Sequence, residues 1–269
     1  YIDYAAGWNS GILGWGNQKV AEATYQSMLR FGGTGGPPFP PDSRDRLTEM
    51  LCERIPGAEQ VAYCVSGSEA NEYAVRFARA FTGKEKILKF RGAYHGVYDE
   101  LIIGTLETAG LTADTANHVV LATFNDREGT AALIAEHASE LAAVITEPIL
   151  CAAGNIEQRD GFLQFLRDET ARHSVLLIFD EVITGFRFGM GGAAEYYRVT
   201  PDITTMGKML GGGLPLAAVS GRRDILGLPL VYGNTMEYNN ACHAAAVACL
   251  EQLRPEMYPP MFALAARLR

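Results

Sequence analysis

The sequence predicts an α/β protein built on a mostly parallel, doubly wound sheet in a large domain. Three observations carry that expectation. Short apolar runs at 61–65, 87–90, 119–123, 141–146 and 175–179 alternate with stretches of helical period. The runs at 141–146 and 175–179 show no polar alternation, as expected of strands buried on both faces. Acids stand where these two runs end, Glu147 after the first and Asp180 and Glu181 after the second. Open α/β sheets bind ligands at that end of their strands.

Composition narrows the possibilities. The chain has 269 residues, 48% hydrophobic and 20% charged, which is ordinary for a globular protein with a sizeable core. A net charge of -8 without a basic run argues against nucleic acid as a partner. No apolar stretch is long enough to span a bilayer and the start has no signal-peptide pattern, so a cytoplasmic location is expected. The five cysteines (Cys52, Cys64, Cys151, Cys242, Cys249) form no C-x-x-C pair; their odd number fits reduced thiols and no metal site.

In chain order, residues 1–4 read as a short strand, followed by a glycine-broken turn and a helix from Gln18. The glycine-proline tract at 32–41 excludes regular structure and is either a linker or a loop that folds over something. A helix follows over Asp42–Arg54. After the 61–65 strand comes Ser66-Gly67-Ser68-Glu69-Ala70-Asn71. Ala70, Tyr73, Ala74, Phe77, Ala78 and Phe81 then recur at helical spacing. Ser66, Gly67 and Ser68 therefore open a helix directly after a strand, where free N–H groups and the helix dipole can hold a phosphate. Ser68 capping the helix is the simpler alternative.

Beyond the 87–90 strand, Tyr94-His95-Gly96 either lies against a planar ring or forms a turn with a packed tyrosine. Residues 101–118 read as a loop with a short helix. The strand at 119–123 leads to a helix capped by Asn125 or Asp126, and a further helix at 161–173 precedes the 175–179 strand. A strand at 216–221, a polar loop at 232–238, a helix at 240–253 and a last helix from Pro259 complete the chain.

Between Asp180 and that strand stands Lys208, a lone lysine set among apolar residues such as Met206, Met209 and Leu210 and a glycine-rich turn at 211–213. The other lysines, Lys19, Lys84, Lys86 and Lys89, read as polar or strand-edge residues. A lysine in an apolar pocket loses proton affinity and becomes a nucleophile. Paired with a strand-end acid, it meets the needs of pyridoxal phosphate chemistry, in which the lysine forms an imine and the acid keeps the pyridine nitrogen protonated. A P-loop is excluded, because that motif needs glycine at Asp202 and serine or threonine at Met209.

These residues resemble the class III, or omega, aminotransferases of pyridoxal phosphate fold type I, closest to the glutamate-1-semialdehyde aminomutase-like branch. The carriers are Ser66 to Ala70, Tyr94-His95-Gly96, Glu147-Pro148, Asp180 to Arg187, Thr204 to Lys208 and Gly211 to Pro215, in matching order across nearly the whole chain. The resemblance implies Lys208 as the Schiff-base lysine and proton shuttle, and Asp180 as partner of the pyridine nitrogen. It implies Val182 on one ring face, Tyr94 on the other, and Gly67 and Ser68 at the phosphate. His95 and Glu147 would lie near the cofactor, with Glu181 either supporting the site or solvated. Thr235 would reach the phosphate of the other subunit, so a homodimer with the site at its interface is implied. The expected division is an N-terminal part of a small domain and connecting loop at 1–40, a large cofactor-binding domain at 41–230, and an interface loop, helix and start of a C-terminal small domain at 231–269, shorter at both ends than in relatives. The implied substrates are a small-molecule amine donor and an oxo acceptor. Arg187 could meet a substrate carboxylate or be structural. Intramolecular amine transfer of the aminomutase type is the alternative activity; a catalytically silent protein of this fold is the rival from another class.

Overall fold

The computed structural model describes residue 1 and residues 3–33, 42–105 and 108–268; most of the glycine-proline tract, from residue 34 to 41, lies outside the described residues. Nine strands are described: β1 Gln60–Cys64, β2 Lys86–Phe90, β3 Val119–Ala122, β4 Leu141–Thr146, β5 Ile149–Leu150, β6 Ile156–Glu157, β7 Leu176–Asp180, β8 Ile203–Met206 and β9 Ala217–Gly221. Seven form one sheet in the order β1-β9-β8-β7-β4-β2-β3, and β5 and β6 form a small separate pair. Strands β3, β2, β4, β7 and β8 run parallel, and β9 is antiparallel to both of its neighbours. The expected mostly parallel, doubly wound sheet is present.

The apolar runs become strands because helices cover both faces. On one face the helix Gly67–Thr82 sets Ala70, Ala74, Phe77 and Ala78 against Ile87, Ile145, Ile178, Ile203 and Val219. On the other, Phe162, Leu163 and Leu166 pack on Leu88, Phe90, Val144, Leu177 and Phe179. Every residue of β4 and β7 is buried, which explains their lack of alternation. A third cluster joins Leu47, Met50 and Leu51 of the helix Asp42–Arg54 to Met206, Ala218 and Leu250.

Four details differ from the expectation. Residue 3 is in no strand and residues 4 and 5 form a turn, because the Asp3 carboxylate accepts from the backbone N–H of Ala5 and Gly7, each at 2.9 Å. Residues 203–206 form the unexpected strand β8, whose two threonines are buried between β7 and β9. Ser66, not Ser68, caps the helix Gly67–Thr82: its hydroxyl accepts from Glu69 N at 3.2 Å. Lys89 is no strand-edge residue; it is completely buried.

Candidate active site

The C-terminal ends of β4, β7 and β8 and the N-terminus of the helix Gly67–Thr82 converge on one cavity of about 200 Å³. Its lining includes Ser66, Gly67, Ser68, Tyr94, His95, Glu147, Asp180, Val182 and Lys208. Nine of the ten expected site residues thus meet in space, though up to 142 positions separate them in sequence, the span from Ser66 to Lys208. The tenth, Thr235, is exposed on a short 3₁₀ turn outside this lining.

Register fixes the two central groups. Asp180 is the last residue of β7 and pairs with Thr205 of the adjacent parallel strand β8. Lys208 follows Thr205 by three residues and emerges at the same sheet edge. It is partly buried, and its backbone is left-handed at φ 46. A non-glycine residue in that region is uncommon and is held there by its surroundings.

Asp180 is 4% exposed and its oxygens are oriented by three donors. Oδ1 accepts from Val182 N at 3.0 Å, and Oδ2 accepts from Asn71 Nδ2 and from His95 Nδ1, both at 2.8 Å. Asn71 is fixed in turn: it donates to His95 O at 3.0 Å, and its own carbonyl accepts from Thr205 Oγ1 at 2.6 Å. Burial holds the His95 imidazole below its ordinary range against the opposing pull of Asp180. The neutral ring therefore donates from Nδ1, and Nε2 is a bare acceptor, buried with no donor in reach among the described residues.

The cavity floor is close-packed. A Cβ on Gly67 would sit 2.7 Å from Val182 Cγ1, and one on Gly96, at φ 107, would sit 2.5 Å from Ser68 Oγ. With Ser66 serving as cap, the N–H groups of Gly67 and Ser68 have no acceptor within the helix and stand at its positive end. That end is an anion cup.

Glu147 is 3% exposed; Oε1 accepts from Tyr94 N and Oε2 from Cys151 N, both at 3.1 Å. It joins the loops that follow β2 and β4. Burial, and then the charge of Asp180, push its carboxyl from 4.5 up to about 7. The folded chain thus binds this proton more tightly than the unfolded chain does. The ionised group costs stability as pH rises above its unfolded value, and the full cost is present above about 7. Stability of the cofactor-free parent relative to Glu147→Gln is expected to fall by about 2–3 kcal/mol from about pH 5 to about pH 8 in urea titrations. A constant difference would assign that ionisation to another group.

Glu181 and Arg187 do not line this cavity. Glu181 is buried and accepts from Ala193 N, Ala194 N and Thr184 Oγ1 at 2.6, 2.8 and 3.1 Å, so it caps the helix Gly192–Tyr197. Arg187 donates from Nη2 to Asn9 O at 2.8 Å and from Nε to Ile183 O at 3.3 Å. Asn71, Gly96 and Ile183 also line the cavity and were missed as site residues. Asn71 did leave a signal: it interrupts the apolar stripe of its helix in register with Ala74, Val75 and Ala78.

Comparison with known proteins adds the family. The family model described as "Aminotransferase class-III" matches residues 1–260. The chain belongs to the class-III aminotransferase family. Among relatives, the glutamate-1-semialdehyde 2,1-aminomutase of Methanothermobacter thermautotrophicus is 43% identical over 233 residues, covering 84% of this chain and 55% of the relative. An omega-transaminase from Sphaerobacter thermophilus superposes with a TM-score of 0.93 at 33% identity, over 99% of this chain and 65% of that one. A glutamate-1-semialdehyde aminomutase from Pseudomonas aeruginosa PAO1 in complex with PMP gives 0.88 at 28% identity, over 100% of this chain and 63% of that one. The chain thus spans between about half and two thirds of the length of the proteins it matches.

Class-III aminotransferases are pyridoxal phosphate enzymes, and the cavity of this member suits that group. It offers an anion cup, a buried carboxylate, an amine and an unspent histidine acceptor. Among the described residues no cluster of side chains fits a metal ion, and no helix is long and apolar enough to cross a membrane.

Proposed function

We propose that this chain is a pyridoxal phosphate-dependent aminotransferase that moves an amino group between an amino acid or amine and an oxo acid or aldehyde. The observation that carries this reading is the meeting of Asp180 and Lys208, from adjacent parallel strands, in the cavity at the N-terminus of the helix Gly67–Thr82.

When bound, the cofactor supplies an electron sink for the carbon that gives up its proton. The chain's residues do the rest. Lys208 Nζ would hold the cofactor through its carbonyl carbon and, as a free amine, would carry a proton from the substrate carbon to the cofactor carbon on the other side of the shared nitrogen. Asp180, whose carboxylate Asn71 and His95 hold in place, would keep a proton on the ring nitrogen. Val182 and Tyr94, which line the cavity, would enclose the ring. Gly67 and Ser68 receive the phosphate through backbone N–H and hydroxyl, with Ser66 shaping the cup.

Aminomutase activity, in which one molecule donates and receives the amine, is the second reading; the name of the Methanothermobacter relative favours it. We place the chain in a cytoplasmic homodimer. The exposure of Thr235 outside its own cavity supports a role at a partner's phosphate. Residues 1–40 and 231–269 would build the small domain and interface around the large domain at 41–230.

The test is a visible spectrum of the chain mixed with pyridoxal phosphate, before and after borohydride, followed by a screen of amine donors. The reading predicts an imine band that borohydride fixes and that a donor amine bleaches. A band that no donor bleaches, while glutamate-1-semialdehyde is converted, would select the aminomutase reading. No band at saturating cofactor would remove the proposal.

A further inference from the structure

Lys89 is a cation with no solvent exposure and no carboxylate within ion-pair distance among the described residues. Burying an unpaired ammonium is costly, so one retained in a sheet needs a local reason. Its neighbours supply one. Lys89 lies on β2 on the face shared with Ile87, one residue before that strand ends. Nζ donates to Leu101 O, at the carbonyl end of the short helix Asp99–Ile102, and to Thr105 Oγ1 at 3.0 Å. The Thr105 hydroxyl then donates to Ala93 O, and Gly92 N donates to Gly104 O at 2.9 Å. Two loops are thereby bound together: the turn at 102–105, and the loop at 91–96 that presents Tyr94 and His95 to the cavity.

The ammonium is also within electrostatic reach of Glu147 and Asp180, the two buried carboxylates of the site, and of His95. Lys208 is the other cation facing Glu147. In the sheet order, β7 and β4, whose ends carry Asp180 and Glu147, stand between β8, which leads into Lys208, and β2, which holds Lys89.

We propose that Lys89 is a positioning residue of this site: it locks the 102–105 turn against the loop carrying Tyr94 and His95, and supplies a positive charge within electrostatic reach of Glu147 and Asp180. The electrostatic half rests on the cofactor reading above; the positional half does not. Lys89 touches neither the cavity nor the reacting atoms.

The test compares the chain with Lys89→Met, Lys89→Arg and Thr105→Val. Amide hydrogen exchange on the cofactor-free chains reads position. At residues 91–96 it is expected to speed up at least about tenfold in Lys89→Met and in Thr105→Val, with protection of β7 unchanged. The pH titration of the visible band on the loaded chains reads charge. Loss of a nearby cation favours a protonated imine, so its midpoint is expected to rise by about half a unit or more in Lys89→Met and to return in Lys89→Arg. Thr105→Val, which keeps the charge, should leave the midpoint in place. If Lys89→Met does not fold, Thr105→Val still tests position and Lys89→Arg tests whether charge alone suffices to hold the midpoint. Unchanged exchange at 91–96 in Thr105→Val, or an unchanged midpoint in a folded Lys89→Met, would overturn the proposal. A parent chain that forms no band would overturn the cofactor reading, and exchange would still decide the positional half.

Discussion

A Lys208→Ala chain is expected to lose the borohydride-fixed band altogether and roughly 10³-fold or more in amine-transfer rate. No other lysine can take its place. Lys84 is engaged with Ala138 O and Ser174 O, Lys86 pairs with Glu140 at 2.8 Å, and Lys89 is sealed beneath the site. Lys208 alone among the lysines lines the cavity. Alanine leaves its neighbours β8 and β9 undisturbed, so circular dichroism and thermal unfolding should stay close to the parent. Mass spectrometry after borohydride is the direct check. A cofactor adduct on the variant, in parental yield, would move the covalent role to another amine.

The second large effect belongs to Asp180. Asp180→Asn preserves shape but removes the charge that the donors from Asn71, His95 and Val182 converge on. On the proposed reading, the ring nitrogen would then no longer be kept protonated. The first half-reaction, followed by stopped-flow absorbance, is expected to slow by about 10²–10³-fold, within the range seen when one preorganised electrostatic partner is deleted. The band itself should persist, because Lys208 is intact. That combination separates the acid from the lysine: one variant keeps the colour and loses speed, the other loses both. A half-reaction within about threefold of the parent would deny Asp180 its part in transition-state stabilisation.

How much of this was legible in the sequence varies by element, for physical reasons. Strands β4 and β7 were readable because burial on both faces demands uninterrupted apolar residues, and the acids after them stood out against that background. Strand β8 was not: its Thr204 and Thr205 look polar, yet their β-branched shape suits a sheet, and Thr205 satisfies its hydroxyl on Asn71. The opening turn was misread because Asp3 serves its own backbone, a local bond that apolar patterning does not register. Lys89 was invisible for a deeper reason. Its partners are a carbonyl and a hydroxyl 12 and 16 residues further on, in a stretch without periodicity. A buried charge satisfied by neutral groups leaves no complementary charge in the sequence to announce it. Glu181 and Asp180 are adjacent acids with the same sequence context, and only folding separates the helix cap from the cavity group.

The pairing of Asp180 with Thr205 has a consequence for how such a protein can change over time. The span between acid and amine is set by one rung of a hydrogen-bond ladder and three residues of chain. On the backbone, that span is set within the sheet, while the loop after β2 enters only through His95, which orients the Asp180 carboxylate. Mutations along the rim can therefore reshape the mouth of the cavity while Asp180 and the backbone of Lys208 keep their spacing, so that, on the proposed reading, a lineage could sample new substrates without rebuilding its chemistry each time.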